Sequence, residues 1–142
     1  MSVRLRDLVD CFEGVIPSIM ATVDAEGVPN VSYLSQVWMV DDERVALSNQ
    51  FFSKTSANVA ATGIASLIVV DGRTGDQYAM ELAFEAAMAE GDLFERMSAQ
   101  LQAISSQHGM DSVMALRSAD VYRVVSCEAV PLPADVQLLP PD

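Results

Sequence analysis

Short apolar blocks separated by turn-forming residues dominate the chain, and most of these blocks have the composition of β-strands. Near the N-terminus, apolar residues with the i, i+3, i+4, i+7 spacing of one helix face predict an N-terminal helix within residues 1–14. The blocks that follow predict three strands, at 17–23, 30–40 and 44–48. We expect these strands to form an antiparallel meander, because only short turn-rich segments separate them.

The rest of the chain combines two helices with four more strands. The predicted elements are a short helix at 54–62, strands at 64–70 and 77–88, a long helix at 92–109, and strands at 112–117 and 120–128. The strand at 64–70 is apolar enough to be buried on both faces, whereas apolar and polar residues alternate along 77–88 as in a half-buried strand. Gly63 and Gly109 follow the two helices and are typical helix stops.

Many short antiparallel strands with few helices favour a small closed or partly closed β-barrel over a parallel sheet. The length of 142 residues suits a single domain over 1–142 with a real hydrophobic core. Residues 131–142 are rich in proline, which predicts a loose or draped tail.

The charge balance excludes several classes of partner. Eight Lys and Arg residues stand against twenty Asp and Glu residues, a formal net charge of -12, so no basic stripe is available for nucleic acid or for an anionic membrane. No apolar run is long enough to span a bilayer and no signal peptide is visible, so a cytoplasmic location is expected. Cys11 and Cys127 lie far apart and are interpreted as reduced, buried thiols.

Most catalytic arrangements are also excluded by the residues present. His108 is the single histidine, and its place beside the Gly109 stop favours a role at the helix end over one as a catalytic base. Neither a metal-ligand spacing nor a glycine-rich phosphate loop occurs. No two carboxylates share an apolar setting, so no catalytic residue is assigned.

The stretch "SNQFFSKTSANV", residues 48–59, carries the most informative charge. Lys54 is the only charged residue from Val45 to Val70, and it lies at the start of the predicted short helix. A helix N-terminus offers unpaired N–H groups, and Ser53, Lys54 and the hydroxyls that follow would together suit an anion such as a cofactor phosphate. The alternative is that Ser53 is a plain helix cap and that Lys54 extends into solvent.

Polar residues in neighbouring strands favour a ligand. Ser35 and Gln36 interrupt one apolar strand, Ser48 and Asn49 end the next, and Gln77 opens a later one. Such side chains can hydrogen-bond a planar polar ligand whose remaining surface packs on apolar walls. Tyr33 and Trp38 could form such walls, although aromatic residues in strands more often belong to the core.

Residues 28–82 resemble the FMN-binding split barrels of the pyridoxamine 5′-phosphate oxidase type. The resemblance is carried by "LSN" at 47–49, "SK" at 53–54, "TGIASLIVV" at 62–70 and "DQY" at 76–78, in the family's order. It implies a mainly β fold with α-helices, a split barrel of six to seven antiparallel strands in a Greek-key-like order. A short helix, a long helix and the N-terminal helix complete this fold.

The resemblance also implies a cofactor and an assembly. Family members are homodimers that bind FMN in clefts at the subunit interface, and four residues here take the positions around the phosphate: Ser48, Asn49, Ser53 and Lys54. The strand along the isoalloxazine ring corresponds to Leu34, Ser35, Gln36 and Val37. Gln77 corresponds to a glutamine that reaches the phosphate or the ribityl chain.

The sequence departs from the true oxidases in two ways. The strand at 32–37 lacks their arginine and lysine, which predicts a weaker FMN site, and the C-terminal motif that holds the vitamin substrate is absent, so pyridoxamine phosphate oxidation is not expected. Arg73, Arg117 and Arg123 are each interpreted either as contacts to an anionic group or as salt-bridge partners.

Two functions from different classes remain. The first is an FMN-dependent oxidoreductase that acts on an unidentified small molecule by hydride chemistry at flavin N5. The second is a non-catalytic ligand-binding or partner-docking module with the same barrel, which the missing cations and the acidity favour. A deazaflavin cofactor fits less well, because its longer acidic tail would require more basic residues.

Overall fold

The computed structural model describes residues 3–13, 16–34, 36–49, 53–107 and 116–131. A 3₁₀ helix at Leu5–Glu13 precedes seven strands and two α-helices. The strands are β1 (Ser18–Val23), β2 (Pro29–Leu34), β3 (Val37–Met39), β4 (Arg44–Asn49), β5 (Ile64–Val70), β6 (Gln77–Met88) and β7 (Ser118–Ala129). The α-helices are α1 (Ser53–Thr62), between β4 and β5, and α2 (Asp92–Gln107), between β6 and β7.

The seven strands form one antiparallel sheet whose two edges belong to a single stretch of chain. The strand order is β2-β1-β5-β6-β7-β4-β3, so β2 and β3 lie at opposite edges although only residues 35 and 36 separate them in the sequence. The sheet must therefore curl until its edges approach one another. The seam is the place where the edges meet, at Leu34 of β2 and at Gln36 and Val37. The fold is mainly β with α, and it confirms the predicted split barrel.

The predicted strand at 30–40, and with it the three-stranded meander, is wrong. Its first half pairs with β1, where Ser18 faces Leu34, and its second half pairs with β4, where Val37 faces Leu47. The break coincides with the change of partner, because β2 pairs only with β1 and β3 pairs only with β4, at the two opposite edges of the sheet.

The hydrophobic core has two parts. The larger part fills the barrel and includes Met80, Leu82 and Tyr122, and the smaller part lies beneath α2, where Met97 packs with Trp38. The core interpretation of Trp38 is therefore confirmed. Met97 and Leu101, which are four residues apart on one face of α2, are fully buried.

Neither Cys11 nor Cys127 forms a disulfide, and both are buried, as predicted. Burial, followed by the nearby charge of Asp71, raises the pKa of the Cys11 thiol to about 11. Burial also raises the pKa of the Cys127 thiol. Because the thiolate is the reactive species, both thiols are expected to be inert at neutral pH.

Two other predicted elements differ from the structure. The N-terminal helix is a 3₁₀ helix, interrupted by non-helical backbone angles at Leu8. Strand β5 is fully buried on one face only, since the residues on its outer face are partly buried or, as at Ile64, exposed. The alternation along β6 is confirmed for Met80, Leu82 and Glu81.

Several predictions fall on residues that the structure does not describe. Residues 112–115 of the predicted strand at 112–117 belong to this group, and Leu116 and Arg117 are not in a strand. His108 and residues 132–142 of the predicted tail also lie outside the described residues.

Candidate cofactor site at the start of helix α1

Polar contacts fix helix α1 against the sheet. Thr55 and Asn58 are buried on the inner side of the helix. Asn30 of β2 donates from Nδ2 to Thr55 Oγ1 at 3.1 Å, and the Ser32 hydroxyl lies 3.3 Å from the same oxygen. Asn58 donates from Nδ2 to Thr22 Oγ1 at 3.1 Å. Because buried hydrogen bonds are directional, this pairing sets the position of α1 over β1 and β2.

Asn49 connects the end of β4 to the first turn of α1. Its Nδ2 atom lies 3.0 Å from Ser56 Oγ and 3.2 Å from Asp120 Oδ2, and the two amide hydrogens allow both bonds. Its carbonyl accepts a hydrogen bond of 2.8 Å from the backbone N–H of Arg117. Asn49, which the sequence singled out, therefore holds the strand end, the helix start and β7 together.

Lys54 lies exposed in that first turn without an acidic partner. It is the only lysine of the chain, the first turn of α1 contains no acid, and none of the ion pairs among the described residues includes it. The first four N–H groups of a helix have no partner within the helix. Ser53 begins the helix, but its side chain is not among those described. Backbone N–H groups, hydroxyls and an ammonium are the donor set that suits a phosphate.

Ser48 lies at the seam of the barrel rather than on the helix. It is buried, its backbone N–H donates to the carbonyl of Gln36 at 3.2 Å, and its hydroxyl donates to the same carbonyl at 3.4 Å. Within one chain, the Ser48 side chain therefore stabilises the join between β4 and the seam.

Gln36 has a buried polar atom without a partner. The side chain is 4% exposed, and its Nε2 donates to Gln100 Oε1 at 2.5 Å, while its Oε1 has no partner among the described residues. Either orientation of the amide leaves one of its two polar atoms unpaired. A buried unpaired group costs about 1–3 kcal/mol, so Gln36 fits a ligand that brings the missing hydrogen bond, such as a ring with an N–H group.

The other residues predicted to lie along the ring are distributed differently. Leu34 and Val37 are buried in the barrel core, so only their backbone is available to a ligand. Ser35 lies outside the described residues.

Gln77 is far from the start of α1 within one chain. Gln77 is the first residue of β6. The backbone N–H of Phe84, seven residues farther along β6, donates to the carbonyl of Gly63, the residue that follows α1. Seven residues of strand span about 23 Å. Asn49 pairs with Ser118, the first residue of β7. This end of β7 pairs with the end of β6 that is farthest from Gln77, where Met88 pairs with Ala119. The structure therefore does not bring Gln77 to Ser48, Asn49 and Lys54.

Asp120 is a buried acid beside the site that the sequence analysis missed. It is 8% exposed, and its carboxylate accepts hydrogen bonds from Ser118 Oγ at 2.6 Å and from Asn49 Nδ2. Burial raises the pKa of the Asp120 carboxyl, although the hydrogen bonds from Ser118 and Asn49 oppose this shift. The sequence could have indicated its burial, because Asp120, Tyr122 and Val124 are two residues apart and therefore lie on the same face of one strand.

The raised pKa of Asp120 predicts a pH dependence of stability. A carboxyl whose pKa is higher in the folded state contributes stability that is present below the unfolded value, near 3.8, and is lost as the pH rises through the folded value. We therefore expect wild type to lose stability relative to Asp120→Asn as the pH rises from about 4 towards neutrality. Urea unfolding at a series of pH values measures this difference. Exposed Glu128→Gln is the control, and parallel curves for wild type and Asp120→Asn would contradict the assignment.

The outer face of β1, β2 and β5 is apolar and uncharged. None of the residues in these three strands carries a charge, in a chain with a net charge of -12. Tyr33, Ile19 and Ile68 lie in register across the face, and Val31, Ala21 and Ser66 form the next row. Tyr33 is 72% exposed and Val31 is 66% exposed. Contiguous exposed apolar patches are typical of interaction surfaces.

The described residues hold neither a cluster of three metal-ligating side chains nor a helix that could cross a membrane.

The sequence and the fold place the chain in a known family. Residues 6–125 match the family model of pyridoxamine 5′-phosphate oxidase, and the chain belongs to this family. The resemblance inferred from the motifs at 47–49, 53–54, 62–70 and 76–78 is confirmed at the level of the family. No protein of curated function has a matching sequence.

Solved structures with the same fold have different cofactors in their names. An FMN-binding protein from Syntrophomonas wolfei subsp. wolfei has a TM-score of 0.72 at 21% identity, over 89% of this chain and 88% of that one. An F420 reductase has a TM-score of 0.60 at 15% identity, over 83% and 93%. HutZ, a heme storage protein from Vibrio cholerae, has a TM-score of 0.60 at 16% identity, over 88% and 93%. At these identities the likeness establishes the fold.

Proposed function

We propose that the protein is a homodimeric FMN-binding flavoprotein and an oxidoreductase that acts on a small molecule. The observation that carries the proposal is the first turn of α1. An unpaired lysine stands there among helix N–H groups, without an acid in the turn, and hydrogen bonds to β2 and β4 hold the turn in place. The two buried, unbridged thiols are consistent with the proposed cytoplasmic location.

Lys54 and the N–H groups of the first turn of α1 would bind the FMN phosphate. The dipole of α1 favours an anion at this end, and a bound phosphate would offset the unfavourable position of the Lys54 charge. Asn49 acts by positioning, because it ties Ser56 and the helix start to β4. Ser48 would support the seam, and Ser53 would contribute its backbone N–H.

The seam, formed by Leu34, Gln36 and Val37, would hold the ring. The unpaired amide atom of Gln36 supports this placement, because a flavin ring offers both a hydrogen-bond donor and acceptors. The backbone of Leu34 and Val37 would line the ring, since their side chains belong to the core.

A second copy of the chain would complete the site. The uncharged outer face of β1, β2 and β5 supports a twofold contact, because the core of a protein interface is depleted in charged residues. Thr55, next to Lys54, bonds Asn30 and Ser32, whose side chains lie on the other side of β2 from Val31 and Tyr33. The proposed phosphate site and the outer face therefore share the edge strand β2. Gln77 could reach the same site only from the second copy.

When bound, FMN supplies hydride transfer at N5. The chain contributes binding and orientation, since the described residues around the start of α1 contain no pair of acid and base side chains. Asp120 is the one buried acid nearby. This division of roles agrees with the absence of a catalytic cluster from the sequence.

Flavin uptake and reduction test the proposal. We expect the purified protein to take up added FMN at micromolar concentration and the bound flavin to be bleached by NAD(P)H, with dithionite as the chemical control for full reduction. Heme and F420 are titrated in parallel, because proteins with this fold carry those names too.

A non-catalytic ligand-binding module is the second candidate. It is favoured by the lack of any basic residue on β1, β2 and β5, which leaves Lys54 as the one cation proposed at the phosphate. Uptake without bleaching by any reductant other than dithionite would support this module. No uptake of FMN would overturn the flavoprotein proposal.

A further inference from the structure

A small cavity lies between α1 and the strands β4, β6 and β7. Its volume is ≈ 170 Å³, which equals the share of about six water molecules in the liquid. Its lining residues are Asn49, Thr55, Ser56, Val59, Ala60, Phe84, Ala87, Asp120 and Tyr122. The cavity is thus mostly apolar with polar atoms at one end, an arrangement typical of sites for small amphiphilic ligands.

The Asp120 carboxylate at the polar end lacks a positive partner. The described residues that line the cavity include no lysine, arginine or histidine, and none of the ion pairs among the described residues includes Asp120. The two hydrogen bonds from Ser118 and Asn49 use about half of the acceptor sites of a carboxylate. A buried carboxylate is normally paired, so a cationic group is the chemistry that this end of the cavity would bind.

Two aromatic rings form a wall of the same cavity. Phe84 and Tyr122 are in edge-to-face contact, with ring centroids 5.4 Å apart and an interplanar angle of 70°. Their π faces attract cations, and their edges, with Val59 and Ala60, offer an apolar surface for a short alkyl group. The carboxylate and the rings therefore both suit a ligand that combines a positive charge with a short apolar chain.

We propose that this cavity binds a small organic cation, namely a primary ammonium group on a short apolar chain. The ammonium would donate to Asp120, and the alkyl body would lie against Phe84 and Tyr122. The volume limits the ligand to a few non-hydrogen atoms, well below the size of a flavin. The proposal stands on the cavity alone and does not require bound FMN.

A pair of probes with nearly the same shape separates charge from apolar packing. n-Butylammonium and 1-butanol have the same number of non-hydrogen atoms and differ in charge. We expect the full-length protein to bind n-butylammonium about tenfold or more tightly than 1-butanol at neutral pH, measured by ligand-observed NMR titration. Equal affinities, or no detectable binding of n-butylammonium, would overturn the proposal.

Two variants locate the binding, with a matched control. Asp120→Asn keeps the shape of the side chain and is expected to remove the preference for the ammonium. Glu128→Gln removes an exposed acid from the same strand, β7, and is expected to leave the preference unchanged. If Asp120→Asn does not fold, Ala60→Phe, which adds a ring on the α1 side of the cavity, is expected to weaken binding of both probes. Unchanged binding in that variant would overturn the proposed location.

Discussion

Val31→Asp is expected to leave the barrel folded, to separate the two copies of the proposed dimer, and to remove FMN uptake at the same time. The Val31 side chain is 66% exposed on β2, so the single chain loses little packing. In a twofold contact, the new carboxylate would be buried in an uncharged face near its own symmetry copy, and burying an unpaired charge is costly. Because both subunits would form the cofactor cleft, dissociation and loss of FMN are expected together.

The measurement is size-exclusion chromatography with light scattering at micromolar concentration, followed by FMN titration. Val125→Asp is the matched control, because Val125 is also an exposed strand valine, 51% exposed, but lies on β7, four places from β2 in the sheet. The control is expected to remain a dimer and to bind FMN. A wild-type monomer with bound flavin, or a Val31→Asp variant that binds FMN normally, would contradict the proposed interface.

Lys54→Ala is expected to weaken FMN binding by about 1–3 kcal/mol, or about 5- to 150-fold in Kd. Lys54 is the only side-chain cation proposed at the phosphate, and none of the ion pairs among the described residues includes it. The helix N–H groups remain in the variant, so binding is expected to weaken and not to disappear.

The effect is measured by the absorbance or fluorescence of added FMN. Lys54→Arg keeps the charge and is expected to retain most of the affinity, while Arg6→Ala, which removes an exposed cation from the N-terminal 3₁₀ helix, is expected to have no effect. An unchanged affinity in Lys54→Ala would favour the simpler interpretation of Lys54 as a solvent-exposed side chain.

Local patterns predicted most elements of the barrel. The alternation in β6, the spacing of Met97 and Leu101 in α2, and the glycine after α1 are properties of neighbouring residues, so they can be read from the sequence. The break between β2 and β3 could not be predicted in the same way. It depends on which strands lie at the sheet edges, because β2 pairs with β1 and β3 pairs with β4, and this pairing is a property of the whole sheet.

The residues of the candidate site likewise fall into those that the local sequence predicts and those that depend on the folded structure. Lys54 and Asn49 were found from the sequence because strand end and helix start are close in the chain. The distance of Gln77 from α1 is set by the register of β6 with β7, and the sequence does not encode that register locally. The role of Asp120 could not be predicted from the sequence, because it depends on the cavity that Asp120 lines together with residues of α1.

The exposed outer face of β1, β2 and β5 explains why the burial predicted for β5 differs from the structure. The block at 64–70 was predicted to be buried on both faces, whereas in the single chain only one face is covered. An apolar strand cannot indicate by itself whether a helix or a second subunit covers its other face. The proposed dimer would bury the second face, so the prediction would then hold for the assembly.

Parallel titrations of the protein with FMN and with riboflavin test the central claim most directly, because the two ligands differ only in the phosphate. The account predicts that wild type binds FMN more tightly than riboflavin and that Lys54→Ala largely removes this preference. Equal affinity of wild type for the two ligands, or no uptake of either, would contradict a phosphate site at the start of α1.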